Sequence, residues 1–292
     1  MSVSIITDTS ANLPSPLTRE LGLTVLPFWY IEQGQEKACL DTEAFDDEAF
    51  YAALRQGERV TTSMINAAAY RAVMEPLAAQ GEDILYIGMS SGISGAYNAA
   101  RQTAEELSAE FPERKIVAFD TLGASLGEGL LAVEAAKMNR LGLGLESILE
   151  RMRSMRQRMR QVFTVDDLMF LQRGGRISRI SAVLGSLLQI KPTLYGDSQG
   201  KIVVGGKCRG RKAALKALAE DLAAHIQEAL DQTVGIAYAG CREEAEALAA
   251  MIRRIYEKIE IMLVPYEPVT GSHVGPGTVA LFYQGAPNPA RG

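Results

Sequence analysis

The sequence is poor in cysteine and has no long apolar run. Its 292 residues include 3 cysteines, at positions 39, 208 and 241. An odd number of widely separated cysteines argues against a disulfide framework and favours free thiols in a reducing compartment. No apolar stretch approaches the roughly 20 residues that span a bilayer, and the start MSVSIITDTS lacks the basic and apolar regions of a signal peptide. We therefore expect a cytoplasmic protein.

The chain also lacks an excess of positive charge. Its formal net charge is -5 at pH 7 and its pI is about 5.3, which argues against general nucleic-acid binding because phosphates must be neutralised by Lys and Arg. It has no GxxxxGK[ST] loop and no convincing carboxylate set for Mg²⁺, so we expect no metal and no cofactor. A hydrophobic content of 47% is typical of a globular protein of one large or two ordinary domains.

The stretch ILYIGMSSGISGAYNA at residues 84–99 predicts a buried parallel strand, a Ser/Gly turn and a helix. At a helix start several backbone N–H groups lack partners, and the hydroxyls of Ser90, Ser91 and Ser94 add donors. The turn is therefore a candidate anion site. The alternative is that Ser94 only caps its helix and the glycines only turn the chain.

Two other polar segments, TDTSANLP and RVTTSMIN, contain further candidate functional residues. Asp8, in TDTSANLP, comes at the carboxyl end of the first strand, where ligands gather in open α/β sheets. A carboxylate that accepts hydrogen bonds from its own loop is the commoner finding, and we favour it here. The segment RVTTSMIN at residues 59–66 reads as a polar turn, in which Thr61, Thr62 and Ser63 offer hydroxyls at the start of the next helix.

Alternating strand and helix patterns predict an α/β fold. Strands are expected at 3–6, 24–31, 84–89 and 116–119 in the first part of the chain, and near 202–204, 233–238, 261–265 and 278–283 in the second. We place a boundary near residue 160. This gives an α/β domain at 1–160, a smaller α+β domain at 161–284 and a loose tail at 285–292.

The segment LESILERMRSMRQRMRQ at residues 145–161 predicts a helix with a methionine stripe and five arginines. Such a helix could bind an acidic partner or an anionic membrane. We favour the alternative, in which the stripe of Ile148, Met152, Met155 and Met159 packs on the protein's own core.

Six motifs in order resemble the DegV family of bacterial fatty-acid-binding proteins, which includes the lipid-carrying B subunit of fatty acid kinase. They are TDTSANLP from Thr7, TTS from Thr61, SSGISG from Ser90, RGGRIS from Arg173, KP at Lys191 and HVGPGTVAL from His273. The resemblance covers almost the whole chain. It implies a three-layer α/β/α domain on a parallel sheet and a smaller domain with a mixed sheet.

The resemblance also implies a site. In that family one fatty acid lies in an enclosed tunnel, and its carboxylate is held by positions that correspond to Thr62, Ser94 and His273. Adjacent candidates for fatty-acid binding are Ser63, Ser91 and Gly95. We expect His273 to lie in a flexible Ser-His-Val-Gly-Pro-Gly loop, where the default role of a lone histidine is structural hydrogen bonding.

Family members present the acyl group to a separate kinase, so the resemblance implies a non-catalytic lipid-binding subunit. Arg209, in GKCRGRK, matches the arginine that engages the kinase, and Arg176 is expected to brace a loop or to contact the partner. Transient membrane contact is a further expectation. The alternative function is a phosphotransferase or hydrolase with Ser94 as nucleophile and His273 as base, although we identify no third orienting group.

The sequence departs from the family pattern at two places. Met64 and Ile65 follow the TTS motif where Gln-Pro is usual, and Ala96 replaces the usual threonine after SSGISG. Both departures leave the acyl length and unsaturation of the ligand open.

Overall fold

The computed structural model describes residues 3–39, 45–177 and 190–286. Most of the predicted loose tail therefore lies outside the described residues. The strands are β1 (Val3–Asp8), β2 (Thr24–Leu26), β3 (Trp29–Glu32), β4 (Gln35–Ala38), β5 (Thr61–Ser63), β6 (Asp83–Gly88), β7 (Ile116–Asp120), β8 (Met159–Thr164), β9 (Ile190–Gly196), β10 (Ile202–Arg209), β11 (Thr233–Tyr238), β12 (Glu260–Pro265) and β13 (Val279–Gln284). The helices are α1 (Ser15–Leu21), α2 (Asp47–Arg55), α3 (Ala67–Ala79), α4 (Ala96–Glu110), α5 (Leu126–Arg140), α6 (Leu145–Arg158), α7 (Met169–Arg173), α8 (Arg211–His225), α9 (Arg242–Ile255) and α10 (Pro268–Val274).

The first half of the chain forms a four-stranded parallel sheet in the order β2-β1-β6-β7. All six residues of β6 are buried, as expected for a strand covered on both faces. Helices α3 and α4 pack together, and α5 packs with α1 and α6. The predicted parallel α/β/α arrangement is confirmed, and its polar turns meet at the carboxyl edge of the sheet.

The second half forms a six-stranded mixed sheet in the order β10-β9-β8-β13-β11-β12. Only β11 and β12 among these neighbours are parallel. Helices α8 and α9 cover one face with a separate apolar cluster that includes Leu218, Leu222, Leu248 and Ile252. The other face meets the parallel-sheet part through Phe163, Leu194 and Phe282, which belong to the main core.

A third, antiparallel sheet in the order β4-β3-β5 was not predicted. The single strand expected at 24–31 is wrong, because Pro27 separates β2 in the parallel sheet from β3 in this one. The polar turn expected at Thr61–Ser63 is also wrong. These residues form β5, in which Thr62 pairs with Tyr30 of β3.

The arginine-rich helix is used within the protein. The helix ends at Arg158, so the last residues of the predicted helix, including Met159, begin β8 instead. Ile148, Met152, Met155 and Met159 are all buried, so the core-packing interpretation is confirmed. Four of the five arginine side chains of this segment also have internal partners. Arg151 pairs with Glu134, Arg156 donates to the Asp120 carbonyl and lies over the Phe119 ring, Arg158 pairs with Glu228, and Arg160 pairs with Asp221.

The TDTSANLP motif builds a buried polar cluster at the end of β1. Asp8 accepts hydrogen bonds from the backbone and hydroxyl of Ser10 and from the hydroxyl of Tyr86. The Ser10 oxygen also lies 2.8 Å from Glu128 Oε2. Burial raises the pKa of Asp8 to about 6 and raises that of Glu128, which also faces Asp8. Because Ser10 has one hydroxyl hydrogen, it cannot donate to both carboxylates, so the pair retains a proton.

The same motif connects the two halves of the chain. The side chain of Asn12 donates to the Pro265 carbonyl over 2.9 Å and accepts from the Glu267 N–H, also over 2.9 Å. Glu267 caps α10 by accepting from the N–H groups of Val269 and Thr270. Asp8 and Asn12 therefore act structurally, and they fix the position of α10.

Candidate functional site

A cavity of about 240 Å³ lies between the carboxyl edge of the parallel sheet and the inner face of the mixed sheet. Its walls are largely apolar, with a few polar groups, which is typical of ligand cavities. It is lined by Phe28, Thr62, Met64, Met89, Ile93, Ser94, Gly95, Leu122, Gly123, Ala124, Gln161, Phe163, Leu171, Arg176, Gly196, Gly200, Ile202, Tyr266, Val269, Thr270, His273, Val274 and Phe282.

Thr62 and His273, which are 211 positions apart, meet in this cavity. Thr62 Oγ1 lies 2.9 Å from His273 Nε2. Because side chains alternate along a strand, Thr62 points toward α10, whereas Thr61 is exposed. The pair forms a polar point in the otherwise apolar wall.

The expectation of a flexible loop around His273 is wrong. His273 lies in α10, which begins after the buried cap Glu267 with Pro268 in its first turn. The helix ends at Gly275, whose φ of 80° favours glycine. The glycine and proline that suggested a loop are therefore the end signals of a short helix.

His273 is partly buried, and its imidazole is neutral at pH 7. Burial, with the nearby Arg176 charge, lowers the pKa of its imidazole from 6.5 to about 4. A neutral imidazole has one N–H donor and one acceptor nitrogen. At neutral pH His273 can therefore take part in hydrogen bonds to an anion without carrying a charge into the cavity.

The SSGISG turn contributes Ser94 and Gly95 to the cavity wall. The Ser94 oxygen accepts the Ala96 N–H over 3.2 Å, so this serine also stabilises the start of α4. Ser63 and Ser91 do not belong to the described cavity lining. Ser91 is exposed, and Ser63 alternates with Thr62 on β5 and therefore points away from His273.

Arg176 lies in the cavity wall and ties two of its loops together. Its Nε donates to the Ile93 carbonyl over 3.2 Å, and its Nη1 donates to the Gly174 carbonyl. Burial lowers the pKa of the Arg176 guanidinium from its ordinary value. Among the described lining residues it is the only permanently cationic side chain. The sequence predicts it as a loop brace or partner contact and gives no signal that it lines this cavity.

The remaining predicted residues lie elsewhere. Arg209 is exposed at the end of β10 and is not part of the cavity lining. His225 ends α8, where its Nδ1 lies 2.8 Å from the Asp221 carbonyl. The described hydrogen bonds of Ser94 and His273 go to Ala96 and Thr62, not to each other. The structure therefore gives no serine–histidine dyad in the described arrangement.

Residues 3–39, 45–177 and 190–286 contain no group of three or more His, Cys, Asp or Glu side chains that could hold a metal ion. Within these ranges, no helix is both long and apolar enough to cross a membrane.

A comparison with protein families decides the classification. The family model described as "Uncharacterised protein, DegV family" matches residues 2–286. The chain belongs to the DegV family. This DegV chain is also 38% identical over 282 residues to a DegV domain-containing protein of Clostridium perfringens, across 96% of this chain and 97% of that relative.

Solved DegV structures share the fold. A DegV family protein of Thermus thermophilus, described as binding fatty acid, has a TM-score of 0.84 at 26% identity over 97% of this chain and 100% of that one. A fatty acid binding DegV family protein of Streptococcus agalactiae has a TM-score of 0.83 at 29% identity, over 97% and 98% of the two chains. Both matches extend across the parallel and the mixed sheets.

Proposed function

We propose that this DegV chain binds one long-chain fatty acid in the cavity and presents its carboxyl group to a fatty acid kinase. The observation that carries the first part is the convergence of Thr62, His273 and Arg176 on one apolar cavity. The fatty acid binding described for the Thermus and Streptococcus proteins supports the same ligand class.

The acyl chain supplies most of the favourable free energy. Each buried methylene contributes about 0.8 kcal/mol, so a chain of about 15 methylenes gains on the order of 10 kcal/mol before ordering and association costs. The apolar lining, including Phe28, Phe163, Val269 and Phe282, matches such a chain.

The carboxylate needs polar partners, because an unpaired buried charge would cancel much of that gain. Neutral His273 can donate its Nε2–H to Thr62 Oγ1, which leaves the Thr62 hydroxyl hydrogen free for the carboxylate, and Arg176 supplies the compensating charge. Ser94 and the Gly95 backbone border the same space. These groups bind and orient an acid, and none of them is arranged as a nucleophile with its base.

Presentation to a kinase is the finer part of the proposal. The described site offers no phosphate-binding loop of its own, so phosphorylation would require a second protein that brings ATP. Arg209 is exposed, which suits a contact with that partner.

The test is to remove bound lipid by denaturation and extraction, refold the protein, and offer it a mixture of long-chain fatty acids and their methyl esters. Native mass spectrometry should then show one fatty acid per chain and little ester, because the ester lacks the charge that Arg176 compensates. Absence of any acyl ligand, or equal uptake of acid and ester, would contradict the proposed site.

A further inference from the structure

The tip of the β9–β10 hairpin closes one side of the cavity. Gly196, Gly200 and Ile202 from this tip line the cavity wall. Pairing between β8 and β9 ends at Val162 and Tyr195, although β8 itself continues back to Met159. Residues 196–202 are therefore not paired with the neighbouring strand. The tip therefore covers the cavity without being part of the three-strand ladder below it.

The tip is internally well ordered. The Asp197 carboxylate accepts from the N–H groups of Gln199 and Lys201, each over 2.9 Å. The Asp197 backbone also bonds to Gly200 and Lys201. These bonds let residues 197–201 move as one unit.

A hydrogen bond from Ser90 ties this unit to the opposite wall. The Ser90 hydroxyl donates to the Gly200 carbonyl over 2.9 Å and accepts the Gly92 N–H over 3.0 Å. The contact is close on both sides, since a Cβ at Gly92 would meet the Gln199 carbonyl and a Cβ at Gly200 would meet the Ser90 oxygen. The SSGISG turn thus fits against the hairpin tip.

The hairpin also has a place to bend. The register of β10 against β9 shifts between Val204 and Gly206, which marks a bulge. The bulge contains the adjacent glycines Gly205 and Gly206, and glycine at a bulge weakens the ladder and permits bending. A hydrogen-bonded tip, the Ser90 hydrogen bond to Gly200 and a glycine bulge are the components of a hinged cover.

We propose that residues 196–202 are a lid through which fatty acid enters and leaves, with its hinge at Gly205–Gly206 and its latch at Ser90. This proposal rests on the proposed fatty-acid binding, and it adds the route by which the fatty acid enters and leaves the cavity. When the Ser90–Gly200 bond breaks, the tip swings away from the SSGISG turn and opens the cavity beside Ile202.

Removing the latch should speed exchange in both directions. Ser90→Ala removes the bond to the Gly200 carbonyl and the bond from the Gly92 N–H. The first of these, at about 1 kcal/mol, ties down the tip, so its loss raises the open population about fivefold. Stopped-flow measurements with a fluorescent fatty acid should then show association and release both about fivefold faster, with Kd nearly unchanged. Gly200→Ala changes the other partner of the contact, because its Cβ would meet the Ser90 oxygen. It should also speed association and release. Ser198→Ala, at an exposed position of the same tip, is the matched control.

A reversible lock gives the sharper test. An ideal Cβ at Gly200 lies 3.0 Å from Ser90 Cβ, so a small shift allows a disulfide in Ser90→Cys/Gly200→Cys. Cys208→Ser in the same protein removes a partly exposed thiol. The oxidised protein should exchange fatty acid far more slowly than the reduced protein.

The outcomes distinguish a failure of the lid proposal from a failure of the proposed fatty-acid binding. Equal exchange rates in the oxidised and reduced proteins would overturn the lid, as would a Ser90→Ala protein whose Kd rises while association stays unchanged. If the wild-type protein takes up no fatty acid at all, the proposed function itself fails.

Discussion

Replacement of Thr62 by valine isolates one hydrogen-bonding group of the cavity. Valine keeps the branched shape of threonine, so the strand propensity of β5 and the packing against Tyr30 are retained. The change removes only the hydroxyl that lies 2.9 Å from His273 Nε2.

The expected loss follows from the charge of the ligand. A hydrogen bond to a charged group contributes about 1.5–3 kcal/mol, and a factor of ten in Kd corresponds to 1.4 kcal/mol. Thr62→Val should therefore raise the Kd for a long-chain fatty acid by about tenfold to a hundredfold. The effect on the methyl ester should be smaller, because no carboxylate is then desolvated.

The assay is a titration of the delipidated protein with a fluorescent fatty acid, followed by displacement with the natural acid. Thr61→Val is the matched control, since Thr61 lies on the same strand but is exposed on its other side. Thermal unfolding of both variants separates a loss of affinity from a loss of stability.

The reasoning would be refuted by a Thr62→Val protein that folds normally and keeps the wild-type Kd. It would also be refuted if Thr61→Val and Thr62→Val weakened binding equally. In either case the hydroxyl that faces His273 would not be a carboxylate ligand.

Four further predictions follow from the structure. Arg176→Gln should raise the Kd for fatty acid at least about tenfold but leave binding of the methyl ester little changed, as displacement titrations would show. Because the pKa of His273 is lowered from 6.5 to about 4, its contribution to the free energy of unfolding is present above pH 6.5 and lost as pH falls toward 4. Denaturant titrations should show the wild type losing about 3 kcal/mol more than His273→Gln over that window. Gly129→Ala, whose Cβ would meet the Ala11 carbonyl, should lower the free energy of unfolding by about 2 kcal/mol, whereas Gly144→Ala, with nothing within 4 Å, should change it little. Arg209→Ala should impair phosphorylation in the presence of a bacterial fatty acid kinase and ATP while Kd for the acid stays unchanged; loss of both would indicate a role in folding.

Local sequence patterns predicted the fold well where the residues of a segment determine its own secondary structure and burial. The apolar run at 84–88 reads as a strand buried on both faces, and the methionine spacing at 148–159 reads as a core-facing helix. Both interpretations depend on periodicity, which the sequence shows directly.

Patterns failed where tertiary contacts outweigh local signals. Thr61–Ser63 looks like a turn because its residues are short and polar, yet pairing with β3 makes it a strand. His273 looks mobile because glycine and proline surround it, yet the buried cap of Glu267 holds it in a helix. Tyr30, the partner of Thr62, is far from it in sequence, so no local pattern contains that pairing. Glu267 is near His273, and the Glu-Pro pair at the start of α10 is a local helix signal that the surrounding glycines obscured.

The candidate site shows the same limit. The motifs name Thr62, Ser94 and His273, but only the fold places Arg176 in the same wall and removes Ser63 and Ser91 from it. Strand alternation at β5 could have separated Thr62 from Ser63 if the strand had been recognised.

The most direct test of the central claim is a crystal structure of the protein loaded with a long-chain fatty acid. We predict that the acyl chain lies in the cavity against Phe163 and Phe282, with carboxylate oxygens within hydrogen-bonding distance of Thr62 Oγ1 and close to His273 and Arg176. A fatty acid whose carboxylate points away from Thr62 and His273, or a cavity that stays closed to the ligand, would contradict the account.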